Sequence, residues 1–109
     1  MFSPPRRMRI LVIAQGGRHM ETKPVEIYSE DSNFAIIRVP SRRFPGCVVQ
    51  GDSLSILLGN AKTVWEKVKD SRDEDLVGSA QELVESLRAR LDYYERVLTE
   101  HGIDLPYAK

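Results

Sequence analysis

Residues Arg43–Val68 read RFPGCVVQGDSLSILLGNAKTVWEKV. Pro45 fixes its own φ and Gly46 admits backbone angles that other residues avoid, so the pair closes whatever precedes it. Cys47, Val48 and Val49 follow, a short run dominated by β-branched residues and hence a strand signal. Gly51 and Asp52 turn the chain, and Asp52 or Ser53 is placed to accept backbone N–H groups at a helix start. Leu54, Leu57, Leu58, Ala61, Val64, Trp65 and Val68 then recur at helical spacing and form one apolar face. Gly59 sits inside this helix at a cost of about 1 kcal/mol relative to Ala, which predicts that another backbone approaches closely there. The stretch spells strand, turn and amphipathic helix, with no catalytic group among them.

Upstream, Val25–Tyr28 alternates apolar and polar residues, with Val25 and Ile27 on one face. Ser29–Asn33 is a polar turn. Phe34–Val39 is the longest strand, with Ala35, Ile37 and Val39 on one face and Phe34, Ile36 and Arg38 on the other. Apolar residues on both faces mark a central strand. The helix is expected to lie on this sheet, with Leu58 and Trp65 toward residues 25–28 and 34–39. Between the second and third strands stands PSRRFP, where Arg42, Arg43 and nearby Arg38 form a basic patch beside Phe44. Such a patch can grip an acidic partner or RNA. The plainer reading is a solvated loop with Phe44 plugging the edge of the core.

Downstream, residues 71–78 read as a charged linker. Asp70, Asp73, Glu74 and Asp75 lie close together, but their spacing fits no EF-hand loop. Residues 79–102 read as a long helix: Ser79 and Glu82 form a capping box, and Gly102 and Pro106 mark the end. Ala80, Val84, Leu87, Leu91, Tyr94 and Leu98 step by four and three, a three-heptad seam. This seam either packs along its own domain or pairs with a second copy to make a homodimer. Residues 103–109 are a tail that Ile103, Leu105 and Tyr107 can dock. The expected fold class is α+β: a small antiparallel sheet of three strands, one helix packed on it, then a long C-terminal amphipathic helix. Residues 20–70 form the β-β-β-α domain.

Pro45-Gly46-Cys47-Val48-Val49-Gln50-Gly51-Asp52-Ser53-Leu54, followed by Asn60-Ala61-Lys62, resembles the N-terminal domain of HicB-type antitoxins. The likeness covers roughly Val25–Val68. It implies a small antiparallel sheet with a helix on one face, and a non-enzymatic role in binding and masking a small RNA-cleaving toxin. The family also holds stand-alone members. Ser55 and Ile56 stand where family helices carry acidic residues, and no helix-turn-helix or ribbon-helix-helix signature follows.

Residues 1–19 precede all of this. They hold Arg6, Arg7, Arg9 and Arg18, an apolar run Ile10–Ala14, and Gly16-Gly17. Three readings stand: a leader upstream of a true start at Met20, which is preferred; an extra edge strand making four; and a basic arm that touches nucleic acid. The glycines lack the spacing and following helix of a dinucleotide site. The formal net charge is zero, with 16 basic and 16 acidic residues, so no strong global field draws nucleic acid or an anionic membrane. No apolar run reaches the roughly 20 residues of a membrane span. With one Cys and no secretory segment, a reducing cytoplasm is expected.

The chemistry of an enzyme is thin. His19 and His101 are the only histidines, and Cys47 in a short strand reads as a small buried hydrophobe. No residues show zinc spacing, so neither metal nor cofactor is expected. Ribonuclease H chemistry needs several converging carboxylates, and the strands offer only Glu26. The expected function is therefore protein binding, with a small toxin-like protein or a second copy as partner. The alternatives are a nucleic-acid-associated regulator using Arg38, Arg42 and Arg43, and a stand-alone domain without a toxin. A small-molecule sensor at the groove by Gly59 has no further support.

Overall fold

The computed structural model describes residues 20–31 and 33–109, so the leader and its three readings lie outside the described residues. The architecture is α+β: a three-stranded antiparallel sheet and two helices, the second long. The strands are β1 (Glu26–Ser29), β2 (Ile36–Arg38) and β3 (Gly46–Cys47), in spatial order β1-β2-β3. The helices are α1 (Gly51–Val68) and α2 (Glu74–Glu100). Two compact units result. Residues 20–50 with Thr99–Ile103 form one, and Gly51–Leu98 with Asp104–Lys109 form the other.

In the first unit β2 is the central strand, as its two-faced apolar composition requires. Ile27 pairs with Ile37 and Glu26 with Arg38, while a bulge at Tyr28 brings Ser29 opposite Ile36. β3 pairs Cys47 with Ile36 and Gly46 with Ile37, and the Val48 N–H donates to the Ala35 carbonyl at 2.8 Å. The strands are shorter than their apolar runs. Pro40 turns the chain directly after Val39, and the Arg42 N–H closes that turn on the Val39 carbonyl at 2.9 Å. Cys47 is exposed on this edge strand, contrary to the buried hydrophobe its sequence context implies. A two-residue edge strand has too little pleat to enclose its side chains.

The second unit is an antiparallel helical hairpin. Gly51, at the start of α1, lies against the Tyr94 ring near the end of α2. Leu54, Leu58 and Leu91 form its core, and Val84, Leu87, Tyr94 and Tyr107 pack against them. The α1 positions Gly51, Leu54, Leu58, Ala61, Trp65 and Val68 step by three and four, as do Val77 and the α2 seam residues that follow it. Two heptad seams of this kind can close on each other, and Leu54 and Leu58 of α1 cluster with Leu91 of α2. Ala61 and Ala80, nearer the connection between the helices, are also buried. The seam read as self-pairing or partner-pairing thus faces α1 of its own chain.

The boundary between linker and second helix moves. α2 starts at Glu74, not Ser79, and the connection is only residues 69–73. Asp73 is the cap: its Oδ1 accepts the Leu76 N–H at 3.1 Å, and its own N–H donates to Ser71 Oγ at 3.0 Å. The acidic Glu74 and Asp75 that read as solvated linker occupy the first turn, where the helix dipole favours them. Gly102, with φ of 69°, ends the helix as expected of a C′ glycine, its N–H donating to the Thr99 carbonyl at 3.1 Å. Of the expected tail anchors, Tyr107 docks and Ile103 is exposed. The Tyr107 hydroxyl donates to Glu95 Oε2 at 2.7 Å, and Lys109 Nζ lies 3.2 Å from Glu95 Oε1. Burial and then the Glu95 hydrogen bond push the Tyr107 hydroxyl well above its ordinary pKa, and Tyr107 holds Glu95 below the usual carboxylate value.

Candidate functional site

The sequence assigns Arg38, Arg42, Arg43 and Phe44 to one patch, and the structure separates them by role. Arg38 stands on β2 directly opposite Glu26 on β1. Its Nε and Nη2 donate to Glu26 Oε1 and Oε2 at 2.6 and 2.7 Å, a bidentate pair. The Tyr28 hydroxyl also donates to Glu26 Oε1, at 3.0 Å. Arg38 and then Tyr28 hold the Glu26 carboxyl below its ordinary pKa. Arg38 is therefore a sheet-bracing residue, and the one carboxylate offered by the strands is already engaged.

Arg42, Arg43 and Phe44 remain on the β2–β3 connection and are all exposed. The Arg43 guanidinium carbon lies 5.3 Å from the centre of the Phe44 ring, a cation–π arrangement. Phe44 is 72% exposed, so it does not plug the core edge. The turn at Val39–Arg42 and the return to β3 at Gly46 leave a short bridge on which this side chain has nowhere inward to go.

Sequence reasoning missed that the sheet displays further apolar groups. Ile27 and Tyr28 on β1 are also exposed. The alternation in Val25–Tyr28 signalled a half-apolar strand, but alternation carries no information on whether anything covers that face. The missed pairing of Arg38 had a signal: with the two strands set in antiparallel register, Glu26 falls opposite it.

Gly59 has open space where a Cβ would stand, so no backbone approaches it. The close approach is at Gly51, where a Cβ would overlap the Tyr94 ring. Among the described residues no group of three or more His, Cys, Asp and Glu side chains converges as a metal site. Nor is any described helix long and apolar enough to cross a membrane.

No curated protein and no solved structure matches the chain. Residues 20–107 match one family model, described as a family of unknown function (DUF6959). That match takes in both units and the docked tail, and the chain belongs to the DUF6959 family.

Proposed function

We propose that this protein is a non-enzymatic protein-binding module, similar in role to the HicB antitoxin domain its Pro45–Leu54 phrase resembles. The bridge Arg42–Phe44 is its contact surface and a small toxin-like protein its partner in a reducing cytoplasm. One observation carries the reading: an exposed phenylalanine with an arginine over its ring, on the short connection between β2 and β3. Aromatic and arginine side chains are enriched among residues that dominate binding energy. The engagement of Arg38 by Glu26 supports a protein over a nucleic-acid ligand, since it removes one of three cations from the patch.

The test is co-expression of the full chain with the products of the reading frames that adjoin its gene, followed by titration of any small protein it retains; retention of none would overturn the reading. The R43A/F44A variant is expected to bind at least roughly 30-fold more weakly, the loss typical of a hot spot. Equal binding by wild type and variant would overturn the reading. So would a salt-sensitive affinity for RNA that the same variant abolishes.

A further inference from the structure

We infer that a second copy of this chain packs on one face of the helical hairpin, making a four-helix bundle. The interface is distinct from the Ala80–Leu98 seam, which α1 already covers. It also goes beyond the binding role of the β2–β3 bridge and does not depend on it.

On either side of the closed seams lies a flanking column of residues from each helix. In an antiparallel pair, like flanks of the two helices meet on the same side. One flank carries Ser55, Lys62, Gln81, Arg88 and Glu95 and is polar. The other carries Leu57 and Val64 from α1 and Leu76 and Leu83 from α2, and these four are 44%, 47%, 43% and 49% exposed. Four aliphatic side chains in register along one side of a hairpin form a contiguous apolar stripe, unlike the single exposed apolar residues normal on any surface.

The next column outward on that side reads Ser53, Asn60, Lys67, Ser79, Ser86 and Tyr93. Within the helices, from Ser53 to Val97, neither column holds an acidic residue. The helical acids Glu66, Glu74, Asp75, Glu82, Glu85, Asp92 and Glu95 all fall elsewhere. Depletion of charge at the centre of a patch is a compositional mark of an interface. Arg90, a cation on this side, is folded back on its own helix and donates to the Ser86 carbonyl at 3.0 Å and to Ser86 Oγ.

Size and symmetry select the occupant. The 18-residue α1 is about 27 Å long, and two helices side by side are about 20 Å wide. That is roughly 500 Å² in projection, and side-chain relief brings it toward the roughly 800 Å² each partner buries in a stable pair. Both helices contribute to the stripe, and a second hairpin covers the columns of both. A twofold axis crossing near Ala61 and Leu83 sets Leu57 against Val64 of the other copy and Leu83 beside its own counterpart. Under that axis Arg90 faces Ser79 and not another cation, so the face is compatible with itself.

Sedimentation velocity on the full chain across the micromolar range tests this. The wild type is expected to be a dimer, and V64E/L83E a monomer with unchanged helical circular dichroism and a dissociation constant at least roughly 30-fold weaker. R88E, on the polar flank, is expected to leave the dimer intact. A monomeric wild type overturns the proposal, as does a dimer that V64E/L83E leaves unmoved or that R88E disrupts equally. Should V64E/L83E lose its helicity, L83C in a C47S background decides. Oxidation is expected to link two copies through Cys at position 83, since the counterparts lie within disulfide reach, and failure to link overturns the proposal.

Discussion

Single residues set the register of the hairpin. Gly51 is buried against the Tyr94 ring with no room for a Cβ, while Gly59, on the same helix, faces open space. The two glycines should therefore respond oppositely to one methyl group. G51A forces the ring aside and is expected to cost about 1–3 kcal/mol. G59A removes a helix-weakening glycine without a clash and is expected to add about 0.5–1 kcal/mol. Urea denaturation of both variants measures the difference. Sequence alone named the wrong glycine because mid-helix position shows where glycine is costly, not where space is short. Space is a property of the neighbour, and Tyr94 is 43 positions away in the chain. The inward face of α1 was more legible than its partner: Leu54 and Leu58 are buried as their period predicts, but they cluster with Leu91 of α2, where the sequence reading expected the sheet.

At the scale of elements, the hairpin is held by a cap at one end and a docked tail at the other. D73A removes the acceptor of the Leu76 N–H and is expected to cost about 1 kcal/mol. S79A, inside α2, replaces an interior serine with the best helix former and is expected to be neutral or slightly stabilising. The capping-box motif at Ser79–Glu82 is real as a spelling but lies a turn and a half inside the helix. A run of acids before an apolar repeat reads equally as linker or as first turn, and only the Asp73 bond separates them.

The tail makes stability depend on pH at both extremes. Tyr107 has a raised pKa in the folded chain, so its contribution is complete below about pH 10, the unfolded value, and is lost as pH rises beyond it. Glu95 has a lowered one, so its contribution is complete above about pH 4.3 and fades as pH falls below that. Y107F keeps the ring and loses the hydrogen bond. Thermal melts should show the wild type losing its advantage over Y107F above pH 10, with the difference nearly constant between pH 6 and pH 9.

Across the whole molecule, burial is unevenly shared. Every buried hydrophobic among the described residues belongs to α1 or α2. The sheet unit has three strands of two to four residues and half-buried β2 side chains, and it exposes Ile27, Tyr28 and Phe44. The fold class was readable from periods of two and 3.6 in the sequence, because those periods follow from backbone geometry. Which surfaces stay uncovered was not readable, because an apolar position records a preference for burial and not its fulfilment. Phe44 and Arg43 were legible as a candidate pair from their adjacency alone, whereas the commitment of Arg38 to Glu26 needed the strand register.

The helical hairpin should therefore hold most of the folding free energy, with the sheet as its more labile companion. Native-state hydrogen exchange on the full chain measures this directly. The slowest amides are expected in Leu54–Val64 and Val84–Leu91, opening only with global unfolding, while those of Glu26–Cys47 are expected to exchange through smaller local openings at least roughly tenfold faster. Amides in β1 and β2 that exchange as slowly as those around Leu58 and Leu91 would contradict it.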